Sequence, residues 1–215
     1  MPTSIAEAIL QGAHLLRKAG VPEARREAGS LLAYVIGQDR TFIVSHADDP
    51  ITAEELGEFL SGVEARSAGK PLQYITGHQE FFGLDFEVTA DVLIPRPETE
   101  LLVEKALQLV PSAPAAIRIC DVGTGSGCVA ISLAHQLLIN HPDLRIVAID
   151  ISEAAIEVAK RNAARHGVTD QIAFLASDGF GALDQQAKQG LGREQFDLIV
   201  SNPPYVTEDA IATLQ

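Results

Sequence analysis

The chain has 215 residues, of which 47% are hydrophobic and 21% charged, so it is not intrinsically disordered and can form one domain, or a small domain attached to a larger one. Its 16 basic and 29 acidic residues give a net charge of −13, which disfavours a protein that grips duplex nucleic acid by its phosphates. The two cysteines exclude a disulfide framework or a cysteine metal cluster, and the sequence has neither a signal peptide nor an apolar run of about 18 residues, so we expect a cytoplasmic protein.

Short helices are predicted over residues 1–70. The sequences SIAE, beginning at Ser4, and TAEE, beginning at Thr52, both fit a capping box, in which a hydroxyl oxygen and a glutamate satisfy free amide groups at the start of a helix. A further helix is predicted between about 22 and 37. Apolar residues recur at helical spacing in these segments, so we predict a small N-terminal bundle.

Residues 71–96 are predicted to link the bundle to the rest of the chain. β-Branched and aromatic residues are frequent there and Gly83 marks a turn, so we predict a β-hairpin over about 72–89. The sequence IPRPETE follows, with prolines on both sides of Arg96, and leads into an amphipathic helix. Arg96 has two alternative roles, one in a binding site and one in a surface ion pair.

Strands and helices alternate along the rest of the chain, from residue 97 to residue 215. The sequences IRICDVG, LRIVAID, IAFLAS and FDLIVS are short apolar runs without clean alternation, and helical patterns separate most of them. Strands that are buried on both faces have this texture, which is typical of a parallel sheet with crossover helices. We therefore predict an α/β domain in which ligands bind at the carboxyl ends of the strands.

A glycine-rich turn, DVGTGSG, follows the first of these strands. Gly123, Gly125 and Gly127 let the backbone bend sharply and approach a ligand without a Cβ in the way. The spacing is not that of a dinucleotide-binding turn, which would need glycine where Cys128 stands, and no lysine follows as in a P-loop. A site for a nucleoside without phosphates is therefore favoured over a pyrophosphate site, with a purely structural turn as the alternative.

Two aspartates follow the second and third strands. Asp150 is placed to accept hydrogen bonds from ribose hydroxyls, unless it only caps the next helix, a role for which Ser152 competes. Asp178 is placed to reach an adenine amino group, unless it is only a turn residue before Gly179. Acidic residues after two successive strands, downstream of a glycine turn, favour the ligand interpretation.

The fourth strand ends in NPPY, residues 202–205, where two prolines hold the backbone extended and rigid. This sequence resembles the motif of methyltransferases that use S-adenosylmethionine to methylate a planar nitrogen. Asn202 Oδ1 and the Pro203 carbonyl would each accept one N–H of the substrate, which aims the nitrogen lone pair at the methyl group. Tyr205 would pack on the plane of the substrate. The alternative for NPPY alone is a structural turn.

Segments from about 71 to 206 closely resemble, in order and spacing, the HemK/PrmC family, whose members methylate the glutamine N5 in the Gly-Gly-Gln loop of class I peptide chain release factors. The resemblance rests on KPLQYITGHQEFFGLDFEVTADVLIPRPETELLVEKAL, DVGTGSGCVAISLA and FDLIVSNPPYV. It implies a Rossmann-like class I methyltransferase domain over 97–215, a β-hairpin linker over 71–96, and a helical domain over 1–70 that docks the release factor.

The resemblance also implies the residues of the site. S-adenosylmethionine, which leaves as S-adenosylhomocysteine, would be held by Gly123, Thr124, Gly125, Ser126, Gly127, Asp150, Asp178, Gly179 and Asn202. The glutamine amide would be bound by Asn202, Pro203, Pro204 and Tyr205, of which Asn202, Pro203 and Tyr205 would be catalytic. Gly179 departs from members that carry a large residue there, so adenine packing is weakened or falls to Phe180. IPRPETE would close over the methionine end. No metal, direct nucleic-acid contact or membrane is implied, and we expect a monomer.

Two other interpretations remain at this point. An adenine-N6 methyltransferase acting on DNA or RNA shares NPPY, although the charge of −13 weighs against it. The other is an inactive cofactor-binding fragment. Family members continue beyond the fourth strand and complete a larger sheet, so we expect this sheet to be incomplete at its C-terminus and the chain to be truncated, which leaves its activity as it stands an open question.

Overall fold

The structure, a computed structural model, describes residues 3–111, 116–188 and 195–203. The chain divides into two compact units, the first ending at Gly77 and the second beginning at His78. No helix within the described ranges is long and apolar enough to cross a membrane. The boundaries at residues 70 and 96 separate parts with different predicted functions. They stay predictions, because the division into two units rests on packing alone.

Helices build the described part of the first unit. Their bounds are α1 (Ile5–Lys18), α2 (Ala24–Val35), α3 (Arg40–Ser45), α4 (Ala53–Ser67) and α5 (Leu72–Thr76). Leu16, Leu31, Leu32 and Phe59 are the largest fully buried side chains of its core. The predicted helical bundle is therefore confirmed.

Both predicted capping boxes are present, at the starts of α1 and α4. In the second, the backbone N–H of Glu55 donates to Thr52 Oγ1 at 3.1 Å, and the Glu55 carboxylate accepts from the Thr52 backbone N–H at 2.7 Å. Helix α3 was not predicted. It begins after Asp39, whose carboxylate accepts from the Phe42 N–H at 2.7 Å. A single capping aspartate before a six-residue helix is a weak signal in a sequence.

The β-hairpin is shorter than the sequence predicts. Its strands are β1 (His78–Phe81) and β2 (Leu84–Glu87), which pair antiparallel with Phe81 opposite Leu84. Phe82 and Gly83 form the turn, both with positive φ. The prediction of strand over 72–76 is wrong, because these residues form α5, and Leu72 and Ile75 pack against the helical core of the first unit.

The second unit continues with alternating helices and strands. After a 3₁₀ turn at Pro97–Thr99 come α6 (Glu100–Leu109), β3 (Arg118–Val122), α7 (Cys128–Leu137), β4 (Arg145–Asp150), α8 (Glu153–Arg165), a 3₁₀ turn at Thr169–Gln171, β5 (Ile172–Ala176), α9 (Gly181–Lys188) and β6 (Leu198–Ser201). Strands β3 to β6 form one parallel sheet in the order β5-β4-β3-β6. The predicted parallel α/β architecture is confirmed.

The order of the strands creates a crevice at one edge of the sheet. Along the chain the sheet grows outwards from β3 through β4 to β5, and the last described strand, β6, then pairs with the other side of β3. The chain thus continues to opposite sides of β3. Where neighbouring connections run to opposite sides of a strand, a gap opens at its carboxyl end, and α/β proteins bind ligands in such gaps. Helix α7, whose buried residues include Ile131 and Leu133, packs on β3 and β4 below this gap.

Candidate functional site

A cleft of about 450 Å³ lies at the carboxyl ends of the parallel strands. It is lined by Asp91, Val92, Leu93, Val122, Gly123, Gly125, Ile149, Asp150, Ile151, Ala155, Ser177, Asp178, Gly179, Ser201, Asn202 and Pro203. The structure therefore brings together the glycine turn, both predicted aspartates and the first two residues of NPPY. Pro204 and Tyr205 lie outside the described residues.

A smaller pocket of about 50 Å³ contains the remaining turn residues. Thr124 and Ser126 line it together with Gly123, Gly125 and Asn202. The exposed Arg96 lies at the same pocket. Gly127 lines neither cavity and is buried at the start of α7.

Backbone hydrogen bonds fix the glycine turn to the neighbouring strand. The N–H groups of Gly123 and Thr124 both donate to the Ile149 carbonyl, at 2.8 and 2.9 Å. The Gly127 N–H donates to the Thr124 carbonyl at 2.8 Å, which closes the turn. These hydrogen bonds within the protein hold the turn against β4.

Two glycines of the turn are needed for different reasons. Gly125 has φ +54°, and a Cβ there would have open space around it among the described residues, so its backbone faces the cleft. Gly127 has φ +82°, and a Cβ there would stand 2.8 Å from Ile131 Cδ1 and 3.1 Å from Ala159 Cβ. Gly125 thus leaves room for a ligand, whereas Gly127 lets α7 and α8 pack closely.

Asp150 faces the glycine turn. Its Oδ2 accepts from the Gly125 N–H at 2.8 Å, and its Oδ1 accepts from the Ser152 N–H at 3.0 Å. The cap of α8 is Ser152, whose hydroxyl accepts from the Ala155 N–H at 3.2 Å, so the capping alternative for Asp150 is wrong. Each carboxylate oxygen has a second lone pair, so Asp150 can still accept hydrogen bonds from a ligand in the cleft.

Asp178 and Gly179 lie at the other end of the cleft, after β5. Asp178 is exposed, and its backbone carbonyl accepts from the Gly181 N–H at 3.1 Å. Gly179 has φ +49°. The two residues therefore form a turn and also line the cleft, so the turn interpretation and the ligand interpretation are compatible.

Asp121 of β3 holds the glycine turn from inside the protein. Its carboxylate is 2% exposed and accepts from Thr124 Oγ1 at 2.7 Å. Burial is the main cause that raises the pKa of Asp121 to about 6; the hydroxyl of Thr124 and the N–H of Ala130 oppose the rise, and the charge of Asp150 adds a smaller contribution to it. Asp121 therefore ties the glycine turn to the first turn of α7.

Asn202 stands directly after β6 and is half-buried. The Ser201 hydroxyl donates to the Val122 carbonyl at 2.8 Å, which fastens the end of β6 to β3. Asn202 Nδ2 donates to Thr99 Oγ1 at 2.8 Å. Thr99 belongs to IPRPETE, and sequence reasoning missed it, since a threonine in that segment has no distinguishing pattern.

Asn162 of α8 was also missed, although it links the hairpin to the glycine turn. It is fully buried, and its Oδ1 accepts from the Glu87 N–H at 2.8 Å. Its Nδ2 donates to the carbonyls of Glu87 and Ser126, at 3.0 and 2.9 Å. Beside it, Arg161 forms an exposed ion pair with the Glu87 carboxylate. A polar residue on the apolar face of a predicted helix is the signal that could have found Asn162.

Two exposed apolar side chains complete the cleft. Leu93 is 60% exposed and Ile151 is 74% exposed. Large apolar groups left open to water beside glycine and carboxylate groups indicate a ligand with both apolar and polar parts. Neither residue was predicted, because an exposed apolar residue cannot be told from a core residue in a sequence.

The two cysteines lie in β3 and at the start of α7. Cys120 and Cys128 are free and buried, and burial raises the pKa of each thiol to about 12. Within the part of the chain that the structure describes, no group of three or more His, Cys, Asp or Glu side chains could hold a metal ion.

Two family models match the chain: a PrmC N-terminal domain over residues 7–77, and a methyltransferase domain over residues 114–214. The chain is 44% identical over 195 residues to the release factor glutamine methyltransferase of Koribacter versatilis, covering 90% of this chain and 64% of that protein. It is 37% identical over 211 residues to the release factor glutamine methyltransferase of Moorella thermoacetica, covering 98% of this chain and 70% of that protein.

The chain spans a little under two thirds of several relatives. It covers 65% of the release factor glutamine methyltransferase of Chlorobaculum tepidum, to which it is 42% identical over 199 residues, or 91% of this chain. Among solved structures, a SAM-dependent methyltransferase from Agrobacterium tumefaciens matches with a TM-score of 0.47 and 20% identity, covering 59% of this chain and 39% of that chain.

Proposed function

Because this chain belongs to the release factor glutamine methyltransferase family, we propose that it transfers a methyl group from S-adenosylmethionine to a glutamine side chain. The acceptor is N5 of the glutamine in the Gly-Gly-Gln loop of class I peptide chain release factors. Membership rests on the 37% identity to a relative of which the chain covers 70%.

The position of Asn202 is the observation that carries the proposal. Its amide group lines the same cleft as Gly125, Asp150 and Asp178, at the point where β6 ends beside β3. An amide acceptor for a substrate N–H thus stands in one cavity with a carboxylate and a glycine turn suited to a nucleoside. A protein that only binds a nucleoside would not require an amide acceptor beside the carboxylate and the glycine turn.

The residues of the cleft fit S-adenosylmethionine. The volume of about 450 Å³ lies within the range of small-molecule sites. Asp150 would accept from the ribose hydroxyls, and the open backbone at Gly123 and Gly125 would lie against the methionine part. Leu93 and Ile151 would contact the apolar surface of the ligand. Asp178 and Gly179 would stand at the adenine, where Gly179 offers no side chain to pack on the ring.

Asn202 and Pro203 orient the substrate nitrogen. An amide nitrogen is a poor nucleophile, because its lone pair is delocalised into the carbonyl. Asn202 Oδ1 and the Pro203 carbonyl would each accept one N–H of the glutamine amide, which turns the lone pair towards the cleft. When bound, S-adenosylmethionine supplies a methyl group on a positively charged sulfur, and the pair of the breaking carbon–sulfur bond stays on sulfur as the carbon–nitrogen bond forms. The N–H protons become more acidic as that bond forms, and the methylated nitrogen releases one of them to water. Pro204 and Tyr205 would add rigidity and a flat packing surface.

The helical first unit would dock the intact release factor. The residues assigned to the cofactor all lie in the second unit, whereas residues 1–70 carry no chemical motif, and a PrmC N-terminal domain model matches residues 7–77. The net charge of −13 argues against direct contact with nucleic acid. We further infer a monomer that acts in the cytoplasm, where translation terminates.

Transfer of labelled methyl groups tests this function. The full chain, incubated with tritiated S-adenosylmethionine, should label a class I release factor and leave tRNA and duplex DNA unlabelled. Asn202→Ala should lower the rate about a hundredfold or more while retaining cofactor binding, because one of the two orienting acceptors is lost. Asn140→Ala, which changes an exposed asparagine beyond the end of α7, is the matched control and should keep the wild-type rate. Label on nucleic acid and none on the release factor would overturn the assignment of the substrate.

A further inference from the structure

We propose that Thr99 is a positioning residue for Asn202: its hydroxyl holds the amide nitrogen of Asn202, so that the amide oxygen is presented to the substrate. The inference rests on the proposed function, since it gives Thr99 a part in orienting the glutamine amide. It concerns a residue of the segment IPRPETE that lies 103 positions before Asn202 in the chain.

The contact between the two residues is specific. Asn202 Nδ2 donates to Thr99 Oγ1 at 2.8 Å, and Thr99 is 8% exposed while Asn202 is half-buried. Thr99 also lines the small pocket of about 50 Å³ in which Asn202, Gly123 and Asp121 meet. The hydrogen bond is therefore partly buried at the wall of the proposed site.

Helix capping does not account for the hydroxyl of Thr99. The residue stands at the N-cap position of α6, where threonine ordinarily accepts from a backbone N–H of the first turn. Here its backbone is helical and its side chain makes no capping hydrogen bond. The hydroxyl is directed to Asn202 instead.

An amide side chain needs such an anchor to act as an oriented acceptor. The terminal torsion of asparagine is broad, so the carbonyl and the NH₂ group can exchange places at little cost unless a partner holds one orientation. A threonine hydroxyl can donate as well as accept, and in this structure the Thr99 hydroxyl accepts from Nδ2. With Nδ2 committed to Thr99, the other branch of the amide, Oδ1, is turned away from Thr99. Methyl transfer requires Oδ1 to accept from the substrate N–H, and NH₂ in its place would repel that N–H.

Thr99 is itself held from two sides. Its own N–H donates to the Arg96 carbonyl at 2.9 Å within the 3₁₀ turn, and Pro97 stiffens that turn. The next residue, Glu100, accepts through its carboxylate from the Phe82 N–H in the hairpin turn at 2.8 Å. The hairpin, the 3₁₀ turn and Asn202 thus form one connected support, and a positioning residue requires such rigidity.

The bond could instead serve only to fasten the end of β6 to the 3₁₀ turn. A purely structural bond and an orienting bond make different predictions. Loss of a structural bond lowers stability and cofactor binding together with the rate. Loss of an orienting bond lowers the rate of the chemical step and leaves cofactor binding nearly unchanged.

A pair of substitutions separates these roles. Thr99→Val keeps the shape of the side chain and removes the hydroxyl, whereas Thr99→Ser keeps the hydroxyl. We expect kcat on a Gly-Gly-Gln peptide to fall about ten- to a hundredfold in Thr99→Val and to return to within about threefold of wild type in Thr99→Ser. KM for the peptide and the Kd for S-adenosylhomocysteine should stay within about twofold in both. Thr76→Val is the control, because that hydroxyl bonds back to the Leu72 carbonyl of its own helix in the first unit.

A spectroscopic measurement tests the bond without any catalysis. The sequence has three asparagines, Asn140, Asn162 and Asn202, so selective ¹⁵N labelling of asparagine gives three side-chain amide signals. Exposed Asn140 and buried Asn162 serve as references for fast and slow hydrogen exchange. The Nδ2 proton of Asn202 should exchange at least about tenfold more slowly in wild type and in Thr99→Ser than in Thr99→Val.

The outcomes distinguish this inference from the proposed function. A wild-type chain that transfers no methyl group to the release factor or the peptide refutes the function, and the exchange rates of Asn202 then decide the Thr99 bond alone. An active wild type with kcat of Thr99→Val within twofold of it overturns the inference and leaves the function standing. A loss of S-adenosylhomocysteine binding that matches the loss of rate would make Thr99 a structural residue.

Discussion

Replacing Asn162 with alanine should destabilise the second unit far more than removing the ion pair beside it. Two side chains of α8, Asn162 and Arg161, bind Glu87, and Asn162 is fully buried. In the ion pair between Arg161 and Glu87, the arginine side chain is 50% exposed and the glutamate side chain is 33% exposed. They lie next to each other on one helix and bind the same residue, so each serves as the control for the other.

The expected magnitude follows from the bonds that each side chain makes. Asn162 makes three hydrogen bonds to backbone groups of Glu87 and Ser126. A buried partner left without its hydrogen bond costs about 1 kcal/mol or somewhat more, so Asn162→Ala should lower the free energy of unfolding by about 3 kcal/mol. An exposed ion pair is worth about 0–1 kcal/mol, which sets the expected effect of Arg161→Ala.

Urea unfolding followed by circular dichroism measures these differences, because the chain has no tryptophan to report by fluorescence. Hydrogen exchange at the Glu87 amide, which donates to Asn162 Oδ1, assigns the change to the second unit. Equal destabilisation by Arg161→Ala and Asn162→Ala, or a cost below about 1 kcal/mol for Asn162→Ala, would refute the reasoning from buried hydrogen bonds.

Further predictions concern the glycine turn and its acids. Gly127→Ala should cost about 1–3 kcal/mol more stability than Gly123→Ala, because both have positive φ but only the Cβ at Gly127 would meet Ile131 at 2.8 Å; similar melting of the two variants would contradict this. Asp150→Ala should weaken binding of S-adenosylhomocysteine by about 1.5–3 kcal/mol in calorimetry, and an unchanged Kd would remove Asp150 from the site. Burial raises the pKa of Asp121 from 3.8 to about 6, so the folded state binds its proton more tightly than the unfolded state does. Ionisation of Asp121 should therefore lower stability by about 3 kcal/mol as pH rises from 3.8 to about 6. That fall should be absent from Asp121→Asn, and parallel pH profiles for the two proteins would count against it.

Local signals in the sequence were enough to predict most of the fold. The capping boxes that begin at Ser4 and Thr52 act over three residues, so they can be recognised without knowledge of the tertiary structure. The alternation of apolar strands with helices predicted the parallel sheet, since strands covered on both faces must be apolar throughout. The segment 72–76 was misassigned because a run of five residues with β-branched and aromatic members fits a strand or a buried helix turn equally well.

The sequence by itself also determined the chemistry that we propose for the site, since the end of a strand, a glycine turn and NPPY can each be recognised from neighbouring residues. Only the tertiary structure decided how these parts are held. Thr99 meets Asn202 across 103 positions, and Asn162 meets Ser126 across 36 positions. Such contacts depend on the order of the strands, which sets β6 beside β3, and on the torsions of buried side chains. No local pattern encodes either, because the same residue types in the same segments would pack differently on another sheet.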